Sequence, residues 1–156
     1  MSKISQIFST LFFIGYVKWA PGTIGSLFSL IIIILLHNIV NKNEFIILFI
    51  CIFLMATICI KIYSKSVNKH DAKEIVIDEF LGIYFIIIFS YDFKILNNEF
   101  VKIFLIFLFF RIFDIIKPFP ANWIDKKIKN SYGVILDDII AGAYTTITLA
   151  LINVFI

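Results

Sequence analysis

The chain has 156 residues, 61% of them apolar, and a mean hydropathy of +1.00, well above the roughly 45–50% apolar usage of soluble domains. Its formal charge of +3 is modest and no basic tract marks a nucleic-acid footprint. Cys51 and Cys59 share one apolar run, which excludes a disulfide framework or a metal knuckle. What remains is one membrane-embedded domain, residues 1–156, built of helices. Runs such as "LIIIILL" do not alternate in polarity, as barrel strands would.

In chain order, the first stretch, "MSKISQIFSTLFFIGYVKWAPG", does not read as a signal peptide, because Gln6, Ser9 and Thr10 interrupt it and no A-x-A site follows. Ile4, Ile7, Phe8, Leu11 and Phe12 follow helical spacing, which predicts an amphipathic helix lying on the membrane surface. Five apolar runs follow, at about 24–40, 45–62, 75–90, 100–116 and 134–156. Each approaches the ~20 residues of a spanning helix, so the expected fold is an all-α integral membrane protein with about five transmembrane helices. The connections "NKNE", "KIYSKSVNKHDAKE", "YDFKILNNE" and "KPFPANWIDKKIKNSYG" are polar. The last predicts a short interfacial helix opened by Pro120, with Trp123, Ile124 and Ile128 on one side.

If the runs alternate direction, Lys42, Lys94 and Lys102 lie on one side and the other eleven basic residues on the opposite side. That asymmetry puts the N-terminus and the long loops in the cytoplasm and the C-terminus outside. Four polar clusters then fall at cytoplasmic helix ends: "KWAPGTIGS", "IDEFLG", "RIFDIIKPFP" and "LDDIIAGA".

Asp78 and Glu79 stand side by side in a hydrocarbon-like segment, where an ionised carboxylate is costly without a compensating cation. Neighbours on a helix point about 100° apart, so the two serve one partner only by straddling a shared cation. The bland alternative is an ion pair with Lys65, Lys69 or Lys73. Asp137 and Asp138 repeat the arrangement, and Asp138 heads a seam with Ala141, Gly142 and Thr145 at i, i+3, i+4, i+7 spacing. Helix packing explains the small residues but not two adjacent acids. Arg111, Asp114 and Lys117 share a face, and Pro118 disfavours helix at Lys117, leaving its ammonium near the interface to meet a phosphate. In "APGTIGS", Pro21-Gly22 is a turn signal and Thr23 is the expected N-cap of a helix suited to an anion. His37 reads as an interior residue deep in the first run, and the role of His70-Asp71 stays open.

Several carboxylates, nearby cations and no thiolate suit Mg²⁺ or Mn²⁺ rather than zinc. The chemistry they allow is metal-assisted phosphoryl transfer on a lipid at the cytoplasmic face.

Together "APGTIGS", "HDAKEIVIDEFLG", "FRIFDIIKPFPANWID" and "GVILDDIIAGAY" resemble the bacterial phosphatidylglycerophosphatase A family, in order, from about Gly15 to Tyr144. Where members of that family often carry a GSG-like stretch before "PGT", this chain has "IGYVKWA". The resemblance implies a Mg²⁺-dependent phosphatase of the bacterial inner membrane. It would release inorganic phosphate from phosphatidylglycerophosphate to leave phosphatidylglycerol. It also implies Asp78, Glu79, Asp137 and Asp138 as metal ligands, with Asp78, Glu79, Asp114 and Asp138 as the catalytic acids. Thr23, Arg111 and Lys117 would contact phosphate or orient carboxylates.

Two rivals belong to other classes. A small cation or proton transporter would spread its acids along a membrane path, whereas these cluster at one end. A structural subunit would use its acids to pair with a partner. The expected partners are the lipid substrate and membrane lipids, with no nucleic acid, and the oligomeric state stays open.

Overall fold

Each of the five apolar runs folds as a helix in the computed structural model, which describes residues 2–90, 93 and 98–155. Helix α1 spans Lys3–Ser9, α2 Pro21–His37, α3 Lys42–Val67, α4 Ile77–Ser90, α5 Glu99–Ile116, α6 Ala121–Lys127 and α7 Ser131–Phe155. A single 3-10 turn covers Ile14–Tyr16. There is no strand among the described residues. Most of the connection "YDFKILNNE", with Lys94, lies outside them.

Local chemistry sets the helix ends. The Asn41 side chain accepts from the Glu44 amide (3.1 Å), and the Glu44 carboxylate accepts from the Asn41 amide (3.3 Å), a reciprocal box that starts α3. Asn68 ends it in the left-handed region (φ 56°), a conformation its short amide tolerates. Asn98 caps α5 by accepting from the Phe100 amide. The block imposed by Pro118 acts as expected: α5 stops at Ile116 and Lys117 turns left-handed (φ 47°).

Helix α4 is the centre of the fold. Eleven of its fourteen residues are buried, and it packs against α7, α2, α3 and α5. The closest approach is to α7, where two glycines meet. A Cβ on Gly142 would lie 2.7 Å from the Gly82 carbonyl oxygen, and one on Gly82 would lie 2.8 Å from the Asp138 carbonyl oxygen. The seam expected from Ala141, Gly142 and Thr145 is therefore real, and all three are buried. It brings the Asp138 end of α7 against the Asp78 end of α4.

Among the described residues two helices, α3 and α7, are long and apolar enough to cross a membrane. Helix α2 is apolar but has 17 residues. Helix α4 has 14 residues, about 21 Å at 1.5 Å per residue. Helix α5 carries Glu99, Lys102, Arg111 and Asp114 among its 18 residues.

Several local expectations are corrected. Helix α1 ends at Ser9, and Leu11, Phe12 and Phe13 all take positive φ. Leu11 turns inward while Phe12 and Phe13 stay exposed. The buried residues of α1 are Ser5 and Ser9, because small side chains let it lie close on α3, and Ile4 faces outward. Helix α2 begins at Pro21 with Ala20 as the capping residue, so Thr23 is not the N-cap. Proline fits the first helical position because its missing N–H has no acceptor there. His37 is not deep in its run: it ends α2, half-buried and edge-on to Phe45 with ring centroids 5.0 Å apart. Trp123 and Ile124 do not share a face, since Ile124 is buried and Trp123 exposed, and Ile128 lies just past the end of α6.

Candidate functional site

The starts of α2, α4 and α7 and the end of α5 converge on one cavity of ≈ 230 Å³. Asp71, Asp78, Glu79, Asp114, Asp137 and Asp138 line it, together with Lys73, Lys117, Pro21, Gly22, Ile75 and Val134. All four clusters singled out in the sequence contribute to it or border it.

Its acids divide into two sets. Asp78, Glu79 and Asp138 each offer an oxygen, and these three atoms lie within 4.8 Å of one another. All three residues are buried, at 8%, 8% and 5% exposure. The Gly82–Gly142 contact carries Asp138 in from α7. Asp78 folds back so that its Oδ1 accepts from the Glu79 amide (3.1 Å), which keeps two helix neighbours within reach of one point. Gly22 supplies the remaining room, because a Cβ there would run into Glu79 Oε1.

The second set is matched to cations. Arg111 Nη1 donates to Asp114 Oδ2 at 2.6 Å and to Ser26 Oγ at 3.3 Å, and lies 3.9 Å from Glu79 Oε1. Lys117 Nζ donates to Asp137 Oδ2 at 2.5 Å and lies 3.4 Å from Asp125 Oδ1. Burial works against the Lys117 charge, but the hydrogen bond and charge of Asp137, with Asp125 and Asp138, outweigh it and raise its pKa above the usual lysine value. That ammonium stays protonated throughout the neutral range.

Among the sequence candidates, Asp78, Glu79 and Asp138 come together as a trio. Asp137 is buried beside them, but Lys117 holds its Oδ2. Asp114 lines the cavity in the grip of Arg111. Thr23 is half-buried, is not among the lining residues, and makes no side-chain hydrogen bond with a described residue. Ser26, one turn further along α2, takes the Arg111 contact instead. Asp125, Asp71 and Lys73 complete the surroundings. Of these, Asp71 stands in the sequence with its role open and Lys73 as an alternative ion-pair partner of Asp78 and Glu79, and no periodicity links Asp125 to Lys117 across the turn between their helices.

The donor set fits a hard divalent cation. The trio provides oxygen ligands only, and among the described residues Arg111 alone stands at ion-pair distance from it. Glu79 Oε2 and Asp137 Oδ1 are buried without a hydrogen-bond partner among the described residues. Buried orphan carboxylate oxygens are costly, and a cation among them removes the cost.

A family model described as Phosphatidylglycerophosphatase A matches residues 7–153. The chain belongs to that family. It is accordingly a phosphatase, an enzyme of phospholipid metabolism. Phosphatidylglycerophosphatase A of Haemophilus influenzae is 32% identical over 133 residues, covering 85% of this chain and 78% of the relative. The Escherichia coli protein of the same name is 33% identical over 93 residues, 56% of this chain and 51% of the relative. A Bacteroides thetaiotaomicron protein named putative phosphatidylinositol-3-phosphatase is 29% identical over 153 residues, covering 96% and 93%. No solved structure matches.

Proposed function

We propose that this protein hydrolyses the terminal phosphomonoester of phosphatidylglycerophosphate with Mg²⁺ bound by Asp78, Glu79 and Asp138, at the cytoplasmic face of a bacterial inner membrane. The observation that carries the reading is the buried trio, three oxygen donors within 4.8 Å of one another in the cavity where the family's motifs meet. Asp137 is the fourth ligand candidate through its unpartnered Oδ1.

A bound dication would supply the positive charge that a phosphoryl group needs as negative charge shifts onto its oxygens. The protein's own part is orientation and proton handling. Arg111 fixes Asp114 and steadies Glu79, and Lys117 fixes Asp137, so three acids are held by cations rather than by solvent. Water attacks phosphorus, a cavity carboxylate takes its proton, the P–O bond to the head group breaks, and the proton returns to the departing oxygen. The small cavity admits a phosphate more readily than a bulky head group.

The membrane placement rests on the outer surface. Ile31, Leu35, Ile50, Leu54, Ile58, Phe104 and Leu151 are all more than half exposed on α2, α3, α5 and α7, large apolar side chains that water disfavours in such number. In this reading five helices, α2, α3, α4, α5 and α7, lie in the bilayer, with short α4 enclosed by the others. Exposed Trp19, Ile115, Ile116, Phe119 and Trp123 flank the cavity residues in sequence, as an interfacial belt would. The head group is the least constrained part, since the Bacteroides relative is named for a different phospholipid phosphomonoester.

The test is phosphate release by purified protein from phosphatidylglycerophosphate and from phosphatidylinositol-3-phosphate in micelles, with and without Mg²⁺. Mg²⁺-dependent release from the first lipid in preference to the second is expected. Release that ignores Mg²⁺ and chelator removes the metal from the account, and preference for the inositol lipid removes the substrate.

A further inference from the structure

A second polar cavity lies beside the acidic one and has the opposite charge. Its volume is ≈ 460 Å³, and it opens between the end of α3 and the start of α7. Lys61, Lys65, Lys69 and Lys129 line it with His70 and Tyr132, and no carboxylate is among its lining residues. Lys61, Lys65 and Lys69 make no ion pair with a described residue, and Lys129 Nζ donates only to the Asp125 carbonyl oxygen. His70 Nε2 is buried without a hydrogen-bond partner among the described residues. Four lysines around one hollow, none of them paired with a described carboxylate, make it attractive to an anion.

What kind of anion is indicated by the surface below. Ile50, Leu54, Ile58, Lys61 and Lys65 recur at i, i+4, i+8, i+11 and i+15, within one quarter of the circumference of α3. The first three are 52%, 53% and 60% exposed. One continuous stripe therefore runs from bare aliphatic side chains into the lysines of the cavity. A phosphate in the cavity with an acyl chain on the stripe satisfies both halves, whereas a free anion would leave the stripe uncovered. Basic hollows at the ends of membrane helices suit anionic lipid head groups for this reason.

The two cavities share no lining residue, yet His70 lines one and Asp71 the other. Ser64 Oγ donates to the His70 carbonyl oxygen at 2.9 Å, tying this loop to the end of α3. A head group among the lysines thus rests against the loop that carries Asp71 and Lys73 to the acidic cavity.

We infer that the basic cavity between α3 and α7 binds the phosphodiester head group of an anionic diacyl phospholipid that is not the substrate, with an acyl chain along Ile50, Leu54 and Ile58.

Native mass spectrometry of the full chain in neutral detergent, titrated with phosphatidylserine, tests this directly. That lipid has no phosphomonoester, so binding is read without turnover. One retained lipid is expected for the wild type and for Lys61→Arg/Lys65→Arg. Retention should weaken roughly tenfold or more in Lys61→Gln/Lys65→Gln/Lys69→Gln. Lys126→Gln/Lys127→Gln, which removes charge outside the cavity, should behave as wild type. Undiminished binding by the triple variant overturns the inference, as does an equal loss in the Lys126/Lys127 control. In a parallel arm inorganic phosphate replaces the lipid. Lysine-dependent phosphate binding with no lysine-dependent lipid binding would also overturn it, in favour of a free-anion site.

Discussion

The two sides of the acidic cavity contain the same functional groups and solve their electrostatics differently. On the α5 side each carboxylate has its own cation: Asp114 has Arg111, and Asp137 has Lys117. On the α4 side Asp78, Glu79 and Asp138 crowd within 4.8 Å, and Arg111 reaches only Glu79, at 3.9 Å. A paired carboxylate has its charge met within the protein and serves first to hold shape, although Asp137 keeps one oxygen unpartnered among the described residues. A crowded, unpaired one is relieved by an added positive charge, and for that reason the proposed function puts the cation on that side.

Removing an acid from the unpaired side is the harshest way to break this contrast. Asp138→Asn should lower the rate of phosphate release by roughly 10³-fold or more while the protein still folds. The stability effect should have a distinctive sign. Without metal, the variant relieves repulsion and should melt higher than the wild type. With saturating Mg²⁺, the wild type should rise and the variant should not, because only a binding-competent native state gains from the ion. Thermal melts of both proteins with Mg²⁺ and with chelator read this out.

Arg111 is the link between the two sides. Arg111→Gln should cost about 10²-fold in turnover, by freeing Asp114 and loosening Glu79. Its Mg²⁺ dependence should persist at a higher midpoint in the activity titration, since the trio itself is intact. Lys117→Gln strikes the paired side alone. It leaves Asp137 buried without its cation and should destabilise by about 1–3 kcal/mol, discounted for the part-exposure of the lysine. Denaturant unfolding measures that loss, and the turnover defect should be nearer tenfold. Thr23→Val is the smallest change. With no hydrogen bond from its side chain to a described residue and no place in the cavity lining, it should alter turnover less than about threefold.

How much of this was legible beforehand depended on whether a signal was local. The helices followed from apolar runs and from caps such as Asn41 with Glu44, because both act within a few residues. The convergence of the four motifs was legible too, since alternating helices carry them to one end. The close approach of Gly82 and Gly142 could be anticipated from small-residue spacing, although not that these two glycines face each other. Fine placement was less accessible. Helix α2 starts at Pro21, with Ala20 rather than Thr23 as the cap, and Ser26 rather than Thr23 meets Arg111. Asp137 and Asp138 look equivalent as letters, yet the 100° between them turns one to Lys117 and the other to the trio. The Lys117–Asp125 contact crosses a turn and a helix start, where no periodicity operates.

The central claim is that Asp78, Glu79 and Asp138 form the cation site and that Asp137 is held back by Lys117. Electron paramagnetic resonance with Mn²⁺ as the probe measures this without turnover, on wild type, Asp138→Asn and Asp137→Asn. Tight Mn²⁺ binding by the wild type, abolished in Asp138→Asn and only weakened in Asp137→Asn, is the predicted result. Binding unchanged in Asp138→Asn and lost in Asp137→Asn would contradict it.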